Sequence, residues 1–303
     1  MKLIVLMSTY NGERFLRQQL DSLIGQTLRP DQILIRDDGS KDSTLAILEE
    51  YAIRYPFISY YQGENKGPAA SFYDLICHCE KAEYYALCDQ DDVWFKDKLM
   101  SAVNRLEKED AKLPLLYCSR YTLTDGDLHP LNSDVSHLYD FTDFAHSLLY
   151  HTAPGCTFVY NEAAREKIMK YDMEKEYCLI HDSIIHKVVA MFGKVILDKD
   201  SHMFYRQHGN NQIGMDTNKL RVFMGRVDRF LHGKIRNYRT RTAASLLKVY
   251  GDEISEDKKH LLKIVAEYRN NRRYKRELLK EECFRSHTVN DLFFMMLVLV
   301  NYI

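Results

Sequence analysis

Four short apolar runs, separated by stretches of helical periodicity, constrain this chain more than any other feature. Leu3 to Met7, Gln32 to Arg36, Ile58 to Gln62 and Tyr84 to Cys88 read as strands. Between them, Phe15, Leu16, Leu20, Leu23 and Ile24, then Leu45, Ile47, Leu48, Tyr51 and Ala52, recur at the spacing of one helix face. A third helical stretch runs from Ala69 to His78. An unbroken run such as Leu3 to Met7 suits a strand covered on both sides. Strand and helix in strict succession predict an α/β fold, an open, mainly parallel sheet flanked by helices. Ligands of such sheets bind beyond the carboxyl ends of the strands.

The polar clusters fall at those ends. Ser8-Thr9-Tyr10-Asn11 follows the first strand, Asp37-Asp38-Gly39-Ser40 the second and Asp89-Gln90-Asp91-Asp92 the fourth. Three carboxylates in four residues repel one another unless a cation lies among them or one keeps its proton. Their hard oxygens suit Mg²⁺ or Mn²⁺, ions that usually accompany a substrate phosphate. The layout predicts one crevice lined by Thr9, Asp38 and the acidic cluster. Locally, 89–92 also reads as a solvated turn, and 37–40 as a turn with Ser40 or Asp42 capping the next helix.

The 303 residues allow one large domain or two smaller ones. With 28% charged residues and a net charge of −1, the chain is not a general nucleic-acid binder. Its 21 tyrosines suit sugar faces or ordinary packing. The seven cysteines include no CxxC pair, and Cys77-His78-Cys79 is too close-set for a zinc site. They read as inert thiols of a reducing cytosol. The apolar N-terminal run is too short for a secretory signal, and no stretch is long enough to cross a bilayer. A cytoplasmic protein is therefore expected, with peripheral contact to the cytoplasmic face of a membrane as an option.

Further strands are expected at 115–121, 157–160 and 195–197, helices at 162–170 and 181–192, and a loop at 126–140. Beyond Gly214 the character changes. Lys219 to Arg241 holds eight Lys or Arg against the single acid Asp228, with Leu220, Phe223, Met224, Val227 and Leu231 on one side of a helix. That segment reads either as a surface for anionic lipid or as a solvated basic face. The apolar stretch 292–300 reads as a membrane contact, an oligomer contact or a core helix. The expected division is a catalytic domain over 1–214 and a helical extension over 215–303.

Taken together, Ser8 to Asn11, Gln26-Thr27, Asp37 to Ser40 and Asp89 to Asp92 resemble the family 2 glycosyltransferases, nucleotide-sugar enzymes of the GT-A fold, over roughly residues 1–210. Within that family, Tyr205-Arg206-Gln207-His208-Gly209-Asn210-Asn211 is similar to the bacterial rhamnosyltransferases of surface polysaccharide synthesis. The resemblance implies an inverting, metal-dependent transfer to a hydroxyl of a glycan or lipid-linked saccharide. The expected donor is dTDP-rhamnose, with a UDP-linked hexose or N-acetylhexosamine as the alternative. It assigns Thr9, Tyr10, Asn11 and Asp38 to the nucleotide, and gives Asp89 a ribose or metal role. Asp91 becomes the first metal contact for Mg²⁺ or Mn²⁺. His208 is a ligand of the metal or diphosphate, or merely structural, and Arg206 offers a planar fork to phosphate oxygens. Ala153 to Thr157 would form an acceptor-side turn. Asp182 is the implied base that takes the acceptor proton, although an aspartate there also suits a helix N-cap. His181 either orients the site or packs, and Trp94 borders the sugar pocket or sits in the core.

Other classes explain less. Asp89-Gln90-Asp91-Asp92-Val93 fits the DxDx(T/V) pattern of haloacid-dehalogenase phosphatases, with Asp89 and Asp91 as the acting pair and Gly251-Asp252 plus Asp257 as a later motif. That reading leaves the first eighty residues unused. A carbohydrate- or lipid-surface-binding protein needs no acidic cluster. A nucleotidyltransferase lacks its glycine-rich phosphate loop here, and no GxGxxG supports a dinucleotide enzyme.

Overall fold

Strand β1 (Leu3–Thr9) lies in the interior of the sheet, where Leu3 to Met7 are fully buried. In this computed structural model, residues 1–131, 142–150, 153–208, 237–280 and 295–302 are described. β1 pairs in parallel with β2 (Gln32–Asp37) and β4 (Tyr84–Cys88), and β2 pairs in parallel with β3 (Ile58–Gln62). Helices α1 (Leu16–Ile24), α2 (Thr44–Arg54) and α3 (Pro68–His78) make the crossovers. Each buries its apolar stripe, as Leu16, Leu20 and Leu23 of α1 illustrate. The register sets Thr9 opposite Asp37 and Met7 opposite Cys88, so the polar residues that follow emerge along one edge.

The other half of the sheet is mixed. Its order is β3-β2-β1-β4-β7-β6-β8-β5, with β5 at Val93–Trp94, β6 at Leu115–Thr124, β7 at Val159–Asn161 and β8 at Lys194–Arg206. β7 runs antiparallel to both β4 and β6, β6 and β8 are parallel, and β5 is antiparallel to β8. The sheet is thus mostly parallel, with antiparallel strands that the alternating pattern did not reveal. Where a strand was expected at 157–160, a 3-10 turn at Gly155–Thr157 precedes β7. β8 extends to Arg206 rather than ending at Leu197, because β6 supplies a partner along its length across two register shifts. Helices α4 (Lys98–Leu106), α5 (Phe144–Leu149), α6 (Glu162–Met169) and α7 (His181–Phe192) complete this part of the chain.

The chain forms two compact units. One comprises Met1–Thr142 and His151–His208, the other Asp143–Tyr150 and Gly209–Ile303. The described part of the second is helical: α5, α8 (Tyr238–Tyr250), α9 (Glu256–Glu267), α10 (Arg272–Lys280) and a short helix at 295–299. Its core includes Ala243, Leu246, Leu262, Val265, Leu278, Leu297 and Val298. The apolar stretch expected at 292–300 therefore buries Leu297 and Val298 and exposes Met296, Leu299 and Val300. Its residues before 295, and the basic segment up to Arg236, lie outside the described residues. No described helix is long and apolar enough to cross a membrane.

Candidate active site

The ends of β1 and β2 are tied by short polar bonds. Asp37, buried, accepts from Thr9 Oγ1 at 3.1 Å, from the Gly39 and Ser40 amides and from Ser40 Oγ. Gly39, at φ 81°, makes the tight turn possible. Asp42, rather than Ser40, serves the start of α2, accepting from the Thr44 amide and hydroxyl. Asn11, at φ 47°, takes the Lys41 amide on its Oδ1 and donates its own amide to Ser40 Oγ. Asp38 is buried, ion-paired with Arg36, and accepts from the amides of Lys66 and Gly67. Thr9 is buried at the strand end and Tyr10 is 46% exposed beside it.

Gln90 joins this end to the acidic turn. Its Oε1 accepts the Tyr10 amide at 2.8 Å, and its Nε2 donates to the Tyr10 carbonyl at 3.0 Å. Gly12 permits the approach, since a Cβ there would lie 2.3 Å from Gln90 Oε1. From behind, Gln26 and Thr27 hold the chain after the turn. Gln26 donates to Phe95 O and accepts from the Leu99 amide, while Thr27 N and Oγ1 both donate to Lys96 O.

Within the turn the three carboxylates differ. Asp91 sits on the outer side, its Oδ2 2.8 Å from His208 Nε2, and the His208 ring lies against Phe15 at 4.8 Å. Asp89 and Asp92 lie inward with Cys156, their ligand atoms all within 4.8 Å of one another. Burial, then the charges of Asp91 and Asp182, pushes Asp89 up to about 7. Burial, then Asp91 and Asp89, raises Asp92 well above the ordinary carboxylate range. Asp92 Oδ2 is buried with no hydrogen-bond partner. Two hard carboxylate groups, one with an orphaned buried oxygen, fit a divalent cation, whereas the Cys156 thiol, pushed far up by burial, stays protonated and is no nucleophile.

Arg206 is a strut for this turn. It is 2% exposed, donates Nε to Asp91 O at 2.7 Å and Nη2 to Gln18 Oε1 at 2.6 Å, and reaches the Gly126 carbonyl with Nη1. Its amide meets Asp92 Oδ1 at 3.1 Å, and its guanidinium covers the Phe15 ring. The fork expected for phosphate oxygens is thus directed at protein acceptors.

Asp182 lies in the first turn of α7, whose N-cap is Ile180, so it does not cap the helix. Its carboxylate accepts the Ser183 amide at 2.6 Å and, across the site, the Gly155 amide at 3.1 Å. Burial raises it to about 6, held in check by those amides and Lys187. A carboxyl at that value is ionised at neutral pH and basic enough to take a proton from a hydroxyl. The Ala153 to Thr157 turn, expected on the acceptor side, meets this carboxylate through the Gly155 amide.

Lys98 escaped the sequence, because a lysine in an amphipathic helix reads as solvated. It is wholly buried, donates to Cys156 O at 2.6 Å and stands 4.2 Å over Trp94, which is itself a core residue. Burial pulls it down to about 8. Gln90 had no signal beyond its place between carboxylates. Asp252 and Asp257 are exposed among the helices of the second unit, where no described strand precedes them as the phosphatase pattern requires.

Comparison with known proteins agrees with this geometry. Residues 4–169 match the glycosyl transferase family 2 profile. The dTDP-rhamnosyl transferase RfbG of Shigella flexneri is 32% identical over 225 residues, spanning 69% of this chain and 73% of its own. The uncharacterized glycosyltransferase RT0329 of Rickettsia typhi is 27% identical over 72% of this chain and 68% of its own. Among solved structures, S. aureus TarS 1–349 with UDP-GlcNAc superposes over 99% of this chain and 80% of its own, with a TM-score of 0.59 at 15% identity. The mannosyltransferase PcManGT of Pyrobaculum calidifontis, in complex with GDP-Man and Mn²⁺, gives 0.52 at 15% identity, over 99% of this chain and 86% of its own. A GT-A-like fold with an acidic turn at the strand ends defines the class, a glycosyltransferase. This chain belongs to glycosyl transferase family 2 and resembles its rhamnosyltransferases.

Proposed function

We propose that the enzyme transfers rhamnose from dTDP-rhamnose to a hydroxyl of a glycan or lipid-linked saccharide, with inversion at the anomeric carbon. The observation that supports this reading most is geometric: Asp182 accepts the Gly155 amide, and the next residue, Cys156, has its sulfur within 4.8 Å of carboxylate oxygens of Asp89 and Asp92. The choice of sugar is supported by the likeness to RfbG.

Thr9, Tyr10, Asn11 and Asp38 line the nucleotide end, with Asp38 accepting the N3–H of a thymine or uracil as a charge-assisted bond. Opening the Lys66 and Gly67 amides from Asp38 would free it for that edge. Asp89, Asp91 and Asp92 would hold Mg²⁺ or Mn²⁺, with His208 oriented by Asp91. A bound divalent cation supplies charge neutralisation to the departing nucleoside diphosphate. Asp182 takes the acceptor proton while that oxygen attacks the anomeric carbon, and the Gly155 and Ser183 amides fix the carboxylate for it. Arg206 holds the acidic turn in place from behind.

Calorimetric titration tests the donor. dTDP-rhamnose and UDP-linked glucose, galactose and N-acetylglucosamine are compared with and without Mn²⁺ or Mg²⁺. Metal-dependent binding of dTDP-rhamnose is expected. Metal-dependent binding of a UDP sugar instead would correct the donor, and binding of none would remove the reading. For the acceptor, we place the enzyme at an anionic membrane surface through Lys219 to Arg241. Neutralising Arg226, Arg229 and Arg236 together should weaken vesicle binding. Arg239 is best left alone, because its guanidinium bonds the Leu149 carbonyl within the helical unit.

A further inference from the structure

His181 opens α7 one residue before the base, and its role is not exhausted by packing. The imidazole is 9% exposed and stacks on Phe72 of α3, with ring centroids 4.3 Å apart and planes 22° apart. Burial drives it down to about 3, so the ring is neutral throughout the working range of pH. Its Nε2 is buried without a hydrogen-bond partner. The ring edge faces Gly155. A Cβ at that residue would lie 2.9 Å from Nε2 and 3.2 Å from Asp182 Cβ.

Stacking on Phe72 needs a flat ring but no nitrogen. A phenylalanine would satisfy the contact without burying an orphaned polar atom, and such atoms are rare enough in native structures to require a reason. Neutral imidazole offers one N–H donor and one lone-pair acceptor. The orphaned Nε2 can meet a hydroxyl in either tautomer, because a hydroxyl both gives and takes a hydrogen bond, whereas a phosphate or carboxylate could only accept from it. The location narrows the source. His181 and Asp182 pack on the same glycine, whose neighbour Cys156 stands with Asp89 and Asp92.

We propose that His181 is a sugar-reading residue: its imidazole hydrogen-bonds a hydroxyl of the donor sugar held between the acidic turn and Asp182. The assignment rests on the donor reading given above. It makes Gly155 a specificity position as well, since any side chain there would intrude between the imidazole and the base.

The test uses the full chain with Mn²⁺ and two ligands, dTDP and dTDP-rhamnose. Calorimetric dissociation constants for both are measured on wild type, His181→Phe and His181→Leu, and the ratio of the two constants is the readout. Because dTDP lacks the sugar, it serves as an internal control for folding in each variant. Both variants should bind dTDP as wild type does and bind dTDP-rhamnose about three- to tenfold more weakly, the loss expected for one hydrogen bond. An unchanged ratio in both variants would overturn the proposal and leave His181 a packing residue. Parallel weakening of both ligands would also overturn it, by making the residue part of the scaffold. A wild type that binds dTDP but gains nothing from rhamnose would point instead to the wrong donor sugar, a separate failure of the reading beneath it.

Discussion

At the scale of single residues, Asp182 carries the sharpest consequences. Asp182→Asn keeps the shape and one amide acceptor but cannot take a proton. Donor affinity should hold while transfer falls about 100- to 10,000-fold, the range for losing a general base; normal turnover would remove Asp182 from the chemistry. Because its carboxyl is raised to about 6 by burial, kcat/KM should fall as pH drops through about 6. The linkage sign is the reverse of the usual aspartate. A folded pKa above the unfolded one means that ionisation opposes folding, so this group's contribution is fully present near pH 4 and is lost as pH rises through about 6. Asp182→Asn should therefore gain stability relative to wild type at pH 8 and show no gain at pH 4, in denaturant titrations at the two values. Gln90 offers a second test at this scale. Gln90→Ala removes both bonds to the Tyr10 backbone. Donor affinity should fall although Gln90 itself need not touch the donor, and an unchanged affinity would show that the clasp does not position the turn.

At the scale of elements, the sequence was most legible where one period dominated. β3 and β4 lie at the residues their apolar runs marked, and α7 spans the expected 181–192. The polar clusters of β1, β2 and β4 emerge along one edge because the parallel register brings Thr9, Asp37 and the end of β4 level. The antiparallel half was less legible. β5 has two residues, too few for a period to show, and exists because β8 supplies its bonds, while β7 overlaps the strand expected at 157–160 but its antiparallel direction carries no local signal. The roles of Lys98 and Arg206 were hidden for a related reason. Each is a cation whose partners are backbone carbonyls remote in sequence, and no local pattern encodes such a contact. Gly193 shows the opposite case. It directly follows α7, and the structure shows why no other residue serves. A Cβ there would stand 1.8 Å from the Pro114 carbonyl oxygen, which accepts the Lys194 amide as β8 begins. Backbone cannot step aside as a side chain can. Gly193→Ala should cost about 3 kcal/mol or more, the upper range for overpacking, whereas a loss under about 1 kcal/mol in urea unfolding would mean the junction can relax.

At the scale of the whole molecule, the proposed site can be mapped onto the two compact units. Every residue assigned to donor, metal or base lies in Met1–Thr142 or His151–His208, and none in the helical unit. The acidic turn is strained electrostatically without a cation, because burial and neighbouring carboxylates, Asp91 and Asp182 for Asp89 and Asp91 and Asp89 for Asp92, push both groups up. A ligand that binds only the folded state stabilises it by mass action, by about 2.7 kcal/mol at a hundredfold excess over its dissociation constant. That stabilisation should appear as slowed amide exchange, and local opening lets exchange report where it acts. With Mn²⁺ and dTDP-rhamnose together, protection should rise at 8–12, 37–40, 64–67, 89–94, 153–157 and 181–183. Amides of α8, α9 and α10 should exchange at unaltered rates. Mn²⁺ alone should protect 89–94 and leave 37–40 and 64–67 as they were, since the nucleotide end holds no proposed metal ligand. Asp91→Ala should abolish the metal effect and, with it, most of the donor effect. Protection centred on the helical unit would place donor binding away from the strand ends, and the crevice proposed from Thr9, Asp38 and the acidic turn would lose its ligand.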